Sequence, residues 1–295
     1  MPVSTSKLSS KDNTKGKDVE VDVFHITDIP DAMRNMGWDV APQLMDHWFS
    51  IKPSFVFNSD SKKKILKRDA RNLTSSQYNK DIVKMDWAIK YHQVKDGIDF
   101  LMKNWNSEAG IKQLKNRLKQ AKWDGSNCVF LGRSKDVMDI DATAQVNFKP
   151  IGDLLDTIND WYGAIGNANL KVAVSGFTTT FDNEPYFIVE KMGFYLKDTY
   201  DFLSDSKWTK FGLSEPLGIR SKSGTLDKAK ASIYINSYSQ GLFGFLARKF
   251  SGYVPVENDD FRSWQKKHNL GGDYIVFSDV FWMQPLDSQR MIKLS

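Results

Sequence analysis

From Tyr186 to Phe202 every second position is apolar with two exceptions: Tyr186, Ile188, Glu190, Met192, Phe194, Leu196, Asp198, Tyr200 and Phe202 share one side of a long alternating stretch. A period of two puts these side chains on one face of a β-strand. A carboxylate on such a face costs free energy unless a donor, a cation or a ligand meets it. Asp198, near the end of the run, is therefore the leading candidate site residue. Before it, Leu170 to Phe181 sets Val172, Val174 and Gly176 against Ala173, Ser175 and Phe177, and Asp182-Asn183 joins the two runs. That arrangement predicts a hairpin.

Helical spacing dominates the first half. Pro30-Asp31 opens a predicted helix that runs through Met36 and stops at Gly37, and Pro42 to Phe49 predicts another. Ile82, Met85, Ile89 and His92, then Ile98, Leu101, Met102 and Trp105 after Gly97, predict two helices or one interrupted helix, with His92 facing the core. Ser107 caps a predicted helix whose stripe is Ile111, Leu114, Leu118 and Ala121. After Gly125 the pattern changes. Cys128 to Leu131 reads as a short buried strand, Ile151 to Trp161 as a helix, Ala231 to Tyr238 as a strand or a helix, Asp259 to Lys267 as a helix, and Asp273 to Trp282 as a final strand. This segregation predicts an α+β fold, with a helix-rich N-terminal half and a mainly antiparallel sheet in the C-terminal half. The expected divisions are a disordered tail over 1–20, a helix-rich region over 21–125, and a strand-rich domain over 126–295 that carries the candidate site.

Composition narrows the classes. With 295 residues, 41% of them hydrophobic, the chain has ample material for a core. Its single cysteine, Cys128, excludes an intramolecular disulfide framework and a cysteine-based zinc cluster. No apolar run reaches the ~18 residues of a membrane span, and no signal-type segment opens the chain, so synthesis as a soluble cytosolic protein is expected. The net charge of +5 is small for this length. Its one dense basic run, Lys62-Lys63-Lys64 with Lys67, Arg68 and Arg71, lacks interleaved aromatics and reads as a solvated face, which argues against a nucleic-acid partner. Phosphate-loop, dinucleotide-binding and nucleophile-elbow signatures are absent, and the four histidines show no zinc-ligand spacing.

The chemistry thus concentrates in Asp198-Thr199-Tyr200-Asp201-Phe202. A regular strand puts Asp198 and Tyr200 on one face and turns Asp201 away, whereas a bend near Thr199 brings the acids together. Two neighbouring carboxylates would hold Mg²⁺ through oxygen ligands, or one would be kept protonated for acid–base work. In the bland alternative Asp201 caps a turn and Asp198 pairs with a lysine. Arg220, His268 and Asp279 are further polar candidates, and His47, among the aromatics of Trp38 to Phe49, is expected to hydrogen-bond locally.

Two blocks carry a resemblance: Asp31-Ala32-Met33-Arg34 with Met45-Asp46-His47-Trp48-Phe49, and Asp198-Thr199-Tyr200-Asp201-Phe202 with Gly271 through Val280. Together they resemble an uncharacterised bacterial family encoded beside type VI secretion spike and adaptor genes. The resemblance implies an antibacterial effector delivered into the periplasm of a target cell, with an immunity protein and a secretion spike or adaptor as partners. Asp198, Tyr200 and Asp201 also resemble the Asp-x-Tyr-Asp segment of the colicin M class, which implies Mg²⁺-assisted hydrolysis of the lipid-linked peptidoglycan precursor. On that reading Asp198 would be a metal ligand or the nucleophile, Asp201 a second ligand or a base, and Arg220 would steady phosphate charge. The His-Arg pair of that class has no counterpart here, since the next histidine is His268 and the nearest arginine Arg220. A non-enzymatic secretion accessory or partner-binding protein is the competing expectation.

Overall fold

A hairpin of two long strands organises the computed structural model, which describes residues 23–53, 57–153, 156–203 and 216–295; the expected tail over 1–20 lies outside them. Among the described residues the main sheet takes β1 (Tyr78–Asn79), β2 (Phe130–Leu131), β3 (Gln145–Ile151), β4 (Ala168–Phe181) and β5 (Glu184–Tyr200). A small antiparallel sheet follows with β6 (Pro216–Ser221), β7 (Gly224–Thr225) and β8 (Val254–Glu257), and β9 (Tyr274–Phe277), β10 (Phe281–Met283) and β11 (Met291–Lys293) return to the main sheet. The helices are α1 (Ile29–Asn35), α2 (Val40–Ser50), α3 (Ser59–Lys67), α4 (Met85–Ala88), α5 (His92–Asn104), α6 (Glu108–Gln120), α7 (Val137–Thr143) and α8 (Asp160–Ala164), followed by Lys228–Ser239, Phe243–Lys249 and Asn258–His268. The fold is α+β, with helices mostly in the first half and strands in the second. The main sheet is mixed because β1 runs parallel to β9.

The β4–β5 turn forms where expected. Asp182 and Asn183 have φ of 49° and 59°, the positive values a tight two-residue hairpin turn requires. β4 covers one edge of β5. The other edge is lined by three short antiparallel strands in succession, β9 on Lys197–Tyr200, β10 on Met192–Phe194 and β11 on Tyr186–Ile188. The single final strand predicted from Asp273 to Trp282 is thus broken. Ser278 still bridges to Leu196, whereas Asp279 leaves the ladder and accepts the Met85 amide at 2.6 Å, at the start of α4.

The alternation along β5 is also interrupted. Ser175 pairs with Lys191 and Gly176 with Val189, so Glu190 is the extra residue of a bulge. The bulge changes which residues face inward. Phe187 and Val189 are buried before it, while Met192, Phe194 and Leu196 are buried after it. Glu190 escapes the apolar face it was expected to break and pairs with Arg133 at 2.6 Å.

Several other expectations change. The helix expected from Ile151 to Trp161 is absent from the described part of that segment: Ile151 ends β3, and α8 begins at Asp160, with residues 154–155 outside the described set. Cys128 is exposed rather than buried in a strand. The helical break falls before His92, not at Gly97, and leaves His92 exposed at the start of α5. Gly97 is needed for contact, because a Cβ there would stand 2.8 Å from Leu170 Cδ2 and 2.9 Å from Ile151 Cγ2. The strand-or-helix segment near Ala231 is helical.

One large core draws on both the helix-rich and the strand-rich regions, and Trp48, Trp105 and Trp161 are fully buried in it. Each indole N–H is satisfied: Trp48 on Asp273 at 3.1 Å, Trp105 on Gln289 at 2.8 Å, Trp161 on the Gly166 carbonyl at 3.0 Å. Ile219, Leu226, Tyr234, Leu246 and Phe250 form a smaller core beside β6. No helix among the described residues is long and apolar enough to cross a membrane.

Buried carboxylates tie the layers together. Asp160 accepts the amides of Asp39, Val40 and Ala41 at 2.8–3.1 Å, capping α2 from more than a hundred residues away. Asp273 accepts Trp48 Nε1, the Phe57 amide and both terminal nitrogens of Arg262, the latter at 2.9 and 2.8 Å. Replacing Asp273 with Ala removes the acceptor these four donors share and leaves the largely buried Arg262 charge without its carboxylate. The expected loss is about 3–5 kcal/mol of unfolding free energy, read from urea denaturation; a loss below about 1 kcal/mol would show that this network does not hold the layers.

Candidate functional site

The end of β5 gathers the two acids singled out in the sequence. Thr199 and Tyr200 still pair with Ile275 and Tyr274 of β9, and the chain then turns, with Asp201 Oδ1 accepting the Leu203 amide at 3.1 Å. Asp201 Oδ2 lies 2.9 Å from Lys62 Nζ, and its side chain is only 4% exposed. Asp198 is half-buried. Burial pushes its carboxyl up to about 7 and the Asp201 charge adds to the rise, against the opposing pull of the Thr199 amide and Lys62. For Lys62, burial acts downward, but Asp201, Asp198 and Asp273 outweigh it and hold the ammonium above its ordinary value. The Thr199 hydroxyl, between the acids, is buried without a hydrogen-bond partner.

A hollow of about 590 Å³ opens here, lined by Lys62, Leu66, Pro150, Asp153, Asn169 and Asp198. Lys62 comes from the basic run read as a solvated face. That reading holds for the exposed Lys63 and Lys64 but not for Lys62, which turns inward one helical turn before Leu66. Asn58 starts α3 by accepting the Asp60 and Ser61 amides at 3.1 and 2.8 Å, and this fixes the phase that sends Lys62 toward the sheet.

Tyr200 and Arg220 belong to a different environment. The Tyr200 ring stacks on Tyr274 with centroids 5.4 Å apart and meets Phe202 edge-on at 5.8 Å. Burial raises its phenol, with nearby Arg220 pulling the other way. Burial lowers Arg220 to about 10 against the pull of Tyr200 and Tyr162, and its Nε donates to the Leu217 carbonyl at 3.2 Å. Thus Asp198 and Asp201 both act on Lys62, while Tyr200 lies within packed aromatics, close enough to Arg220 for each charge to influence the other. His268 is exposed and stacks on Trp264. His47 makes no local hydrogen bond through Nε2; its ring packs edge-on against Tyr274.

Two carboxylates do not make a magnesium cage as they stand. The cation beside them is the Lys62 ammonium, and no group of three or more His, Cys, Asp or Glu side chains among the described residues is placed to hold a metal. The donor set fits proton transfer instead: one carboxyl that titrates near neutrality, and one lysine anchored by a second carboxylate.

Residues 24–293 match a family of unknown function, DUF6402. No curated protein matches the chain, and no solved structure does.

The raised Asp198 carboxyl couples stability to pH. A folded-state value above the unfolded one gives stability that is complete below about pH 4 and is lost as pH rises through about 7. Asp198→Asn, neutral throughout, removes this dependence. Above pH 7 the variant is expected to be the more stable by roughly 2 kcal/mol, with the gap closing toward pH 4. Urea denaturation at several pH values checks this; parallel profiles would contradict it.

Proposed function

We propose, for a chain that belongs to the DUF6402 family of unknown function, that the hollow beside Asp198 is the hydrolytic centre of an antibacterial effector associated with type VI secretion, acting on a phosphoester of the bacterial envelope. The observation that carries the proposal is a carboxyl held near pKa 7 at the edge of an open hollow, beside an anchored lysine. The effector setting draws on the resemblance at Asp31–Arg34, Met45–Phe49 and Gly271–Val280. The substrate class, a lipid-linked peptidoglycan precursor, draws on the Asp198-Thr199-Tyr200-Asp201 motif.

In this reading the protonated Asp198 gives its proton to the leaving oxygen as the phosphorus–oxygen bond breaks. Water attacks phosphorus, its hydroxyl remains there, and its proton restores the carboxyl. Lys62 neutralises phosphate charge as it develops, and Asp201 holds Lys62 in place. Tyr200, Phe202 and Tyr274 back the end of β5 so that Asp198 keeps its place.

A second reading, a non-enzymatic accessory that binds a spike, an adaptor or an immunity protein, is favoured by a different surface. Ile235, Tyr238 and Phe243, on the helices Lys228–Ser239 and Phe243–Lys249, are 52%, 53% and 61% exposed, while Leu246 and Phe250 supply the small core beneath.

Expression in the cytoplasm and, separately, in the periplasm of a susceptible bacterium divides the two readings. Lysis from the periplasm alone, abolished by Asp198→Ala, is the expected result, together with release of a phosphorylated fragment from purified precursor. Removing one proton-transfer group lowers such a rate by about 10²–10⁴-fold. Harmlessness in both compartments would favour the accessory reading, and undiminished hydrolysis by Asp198→Ala would end the mechanism. Running the hydrolysis with and without Mg²⁺ reports whether a metal takes part.

A further inference from the structure

A second and larger hollow, about 980 Å³, lies on the other side of Leu66 and Asn169, which line both. Its floor is a charged cluster on the β4–β5 face. Lys171 Nζ and Lys197 Nζ each lie 2.6 Å from an oxygen of Asp141, and the Tyr195 hydroxyl donates to the same carboxylate at 2.7 Å. Three donors converge on Asp141, and two of them are cations that share its single charge. Lys171 and Lys197 are 16% and 2% exposed, so the excess sits where water compensates it poorly.

Arg117 adds to the excess. Its guanidinium donates to the backbone carbonyls of Asp141, Ala142 and Gln145 and to the side chains of Gln120 and Gln145, all neutral oxygens. Each lysine ammonium has three N–H donors, and the contact with Asp141 uses one. At the rim, Lys67 and Arg68 are exposed and have no carboxylate partner among the described residues, while Arg71 is turned to Asp69 at 2.7 Å. Phe148, 53% exposed, forms an apolar wall.

A cavity of this size suits a small organic ligand. A surplus of cations at two levels, floor and rim, suits a ligand with more than one negative charge. We propose that this cleft is a binding site for a diphosphate-bearing small molecule, whose anionic groups reach Lys171 and Lys197 on the floor and Lys67 and Arg68 at the rim, and whose organic part lies against Phe148. The site shares no catalytic residue with the Asp198 hollow, so either assignment can fail alone.

The charges facing Lys171 also set how binding varies with pH. Asp141 raises the affinity of Lys171 for its proton, while burial, Lys197 and Arg117 lower it, leaving the group at about 8. Tyr195, on the facing strand, is held neutral by burial, and Asp69 and Arg71 act on Arg117 from the adjoining turn. An anion favours the protonated amine, so affinity falls as pH rises past 8.

The test is calorimetric titration of the full chain with inorganic pyrophosphate at low salt, at pH 7 and pH 9, with orthophosphate as the comparison. The expected result is one saturable site that prefers pyrophosphate and weakens at pH 9. Lys171→Met, and separately the exposed pair Lys67→Ser with Arg68→Ser, should each weaken it by about tenfold or more, while Asp198→Asn leaves it unchanged. Should Lys171→Met fail to fold, the exposed pair decides. Absence of saturable binding up to millimolar pyrophosphate overturns the proposal, as does undiminished binding by the rim variant. Binding that is lost in Asp198→Asn but kept in Lys171→Met also overturns it, because the anion would then lie in the other hollow.

Discussion

Charge placed on a buried sheet face must be neutralised where it lies, and this constraint shapes the molecule around β5. Asp160 is met by three backbone amides and the Trp87 indole, and the other deeply buried carboxylates by a cation, usually brought from another element. Asp273 takes Arg262, Asp141 takes Lys171 and Lys197, and Asp201 takes Lys62 from α3. Asp198, half-buried at the end of β5, is the exception: it forms no ion pair among the described residues. The lysine nearest to it is already committed to Asp201, and the Thr199 amide offsets only part of the cost of burial, so the carboxyl keeps its proton to about pH 7. A group in that condition is poorly suited to holding the fold together and well suited to moving protons.

The architecture places this exception deliberately close to open space. β5 is paired along nearly its whole length, by β4 on one edge and by β9, β10 and β11 on the other, so its side chains have little freedom to move. α3 lies across its end, with Lys62 and Leu66 directed at the sheet, and Leu66 separates the two hollows. The proton-carrying group and the surplus of positive charge are thus held on one rigid hairpin. An acidic function and an anion-holding function can then be carried by neighbouring surfaces that share only Leu66 and Asn169 as walls and none of their charged side chains.

Much of this was legible where the determinants are local. The Asp182-Asn183 turn, the Ser107 cap and the helix opening around Pro30 depend on a few adjacent residues and form where expected, whereas the helix expected from Pro42 starts two residues earlier, at Val40, where the distant Asp160 caps it. Asp198 was found because one acid on an apolar face is anomalous in any context. What escaped was non-local. The Glu190 bulge is defined only against β4, the break at Asp279 only against the Met85 amide, and β3 needs β4 to exist, its own sequence being too polar to declare a strand. Lys62 and Asp141 matter through partners distant in the sequence, and Tyr200, grouped with the acids by the motif, is drawn into the aromatic packing instead.

The central claim is that burial holds a proton on Asp198 at neutral pH. It is tested most directly by following the side-chain carboxyl carbon of Asp198 by NMR in protein labelled with ¹³C-aspartate, the resonance being assigned by its absence from Asp198→Asn. The account predicts a titration midpoint close to 7. A midpoint at the usual carboxylate position, about 4, would show that Asp198 is an ordinary solvated acid and would contradict it.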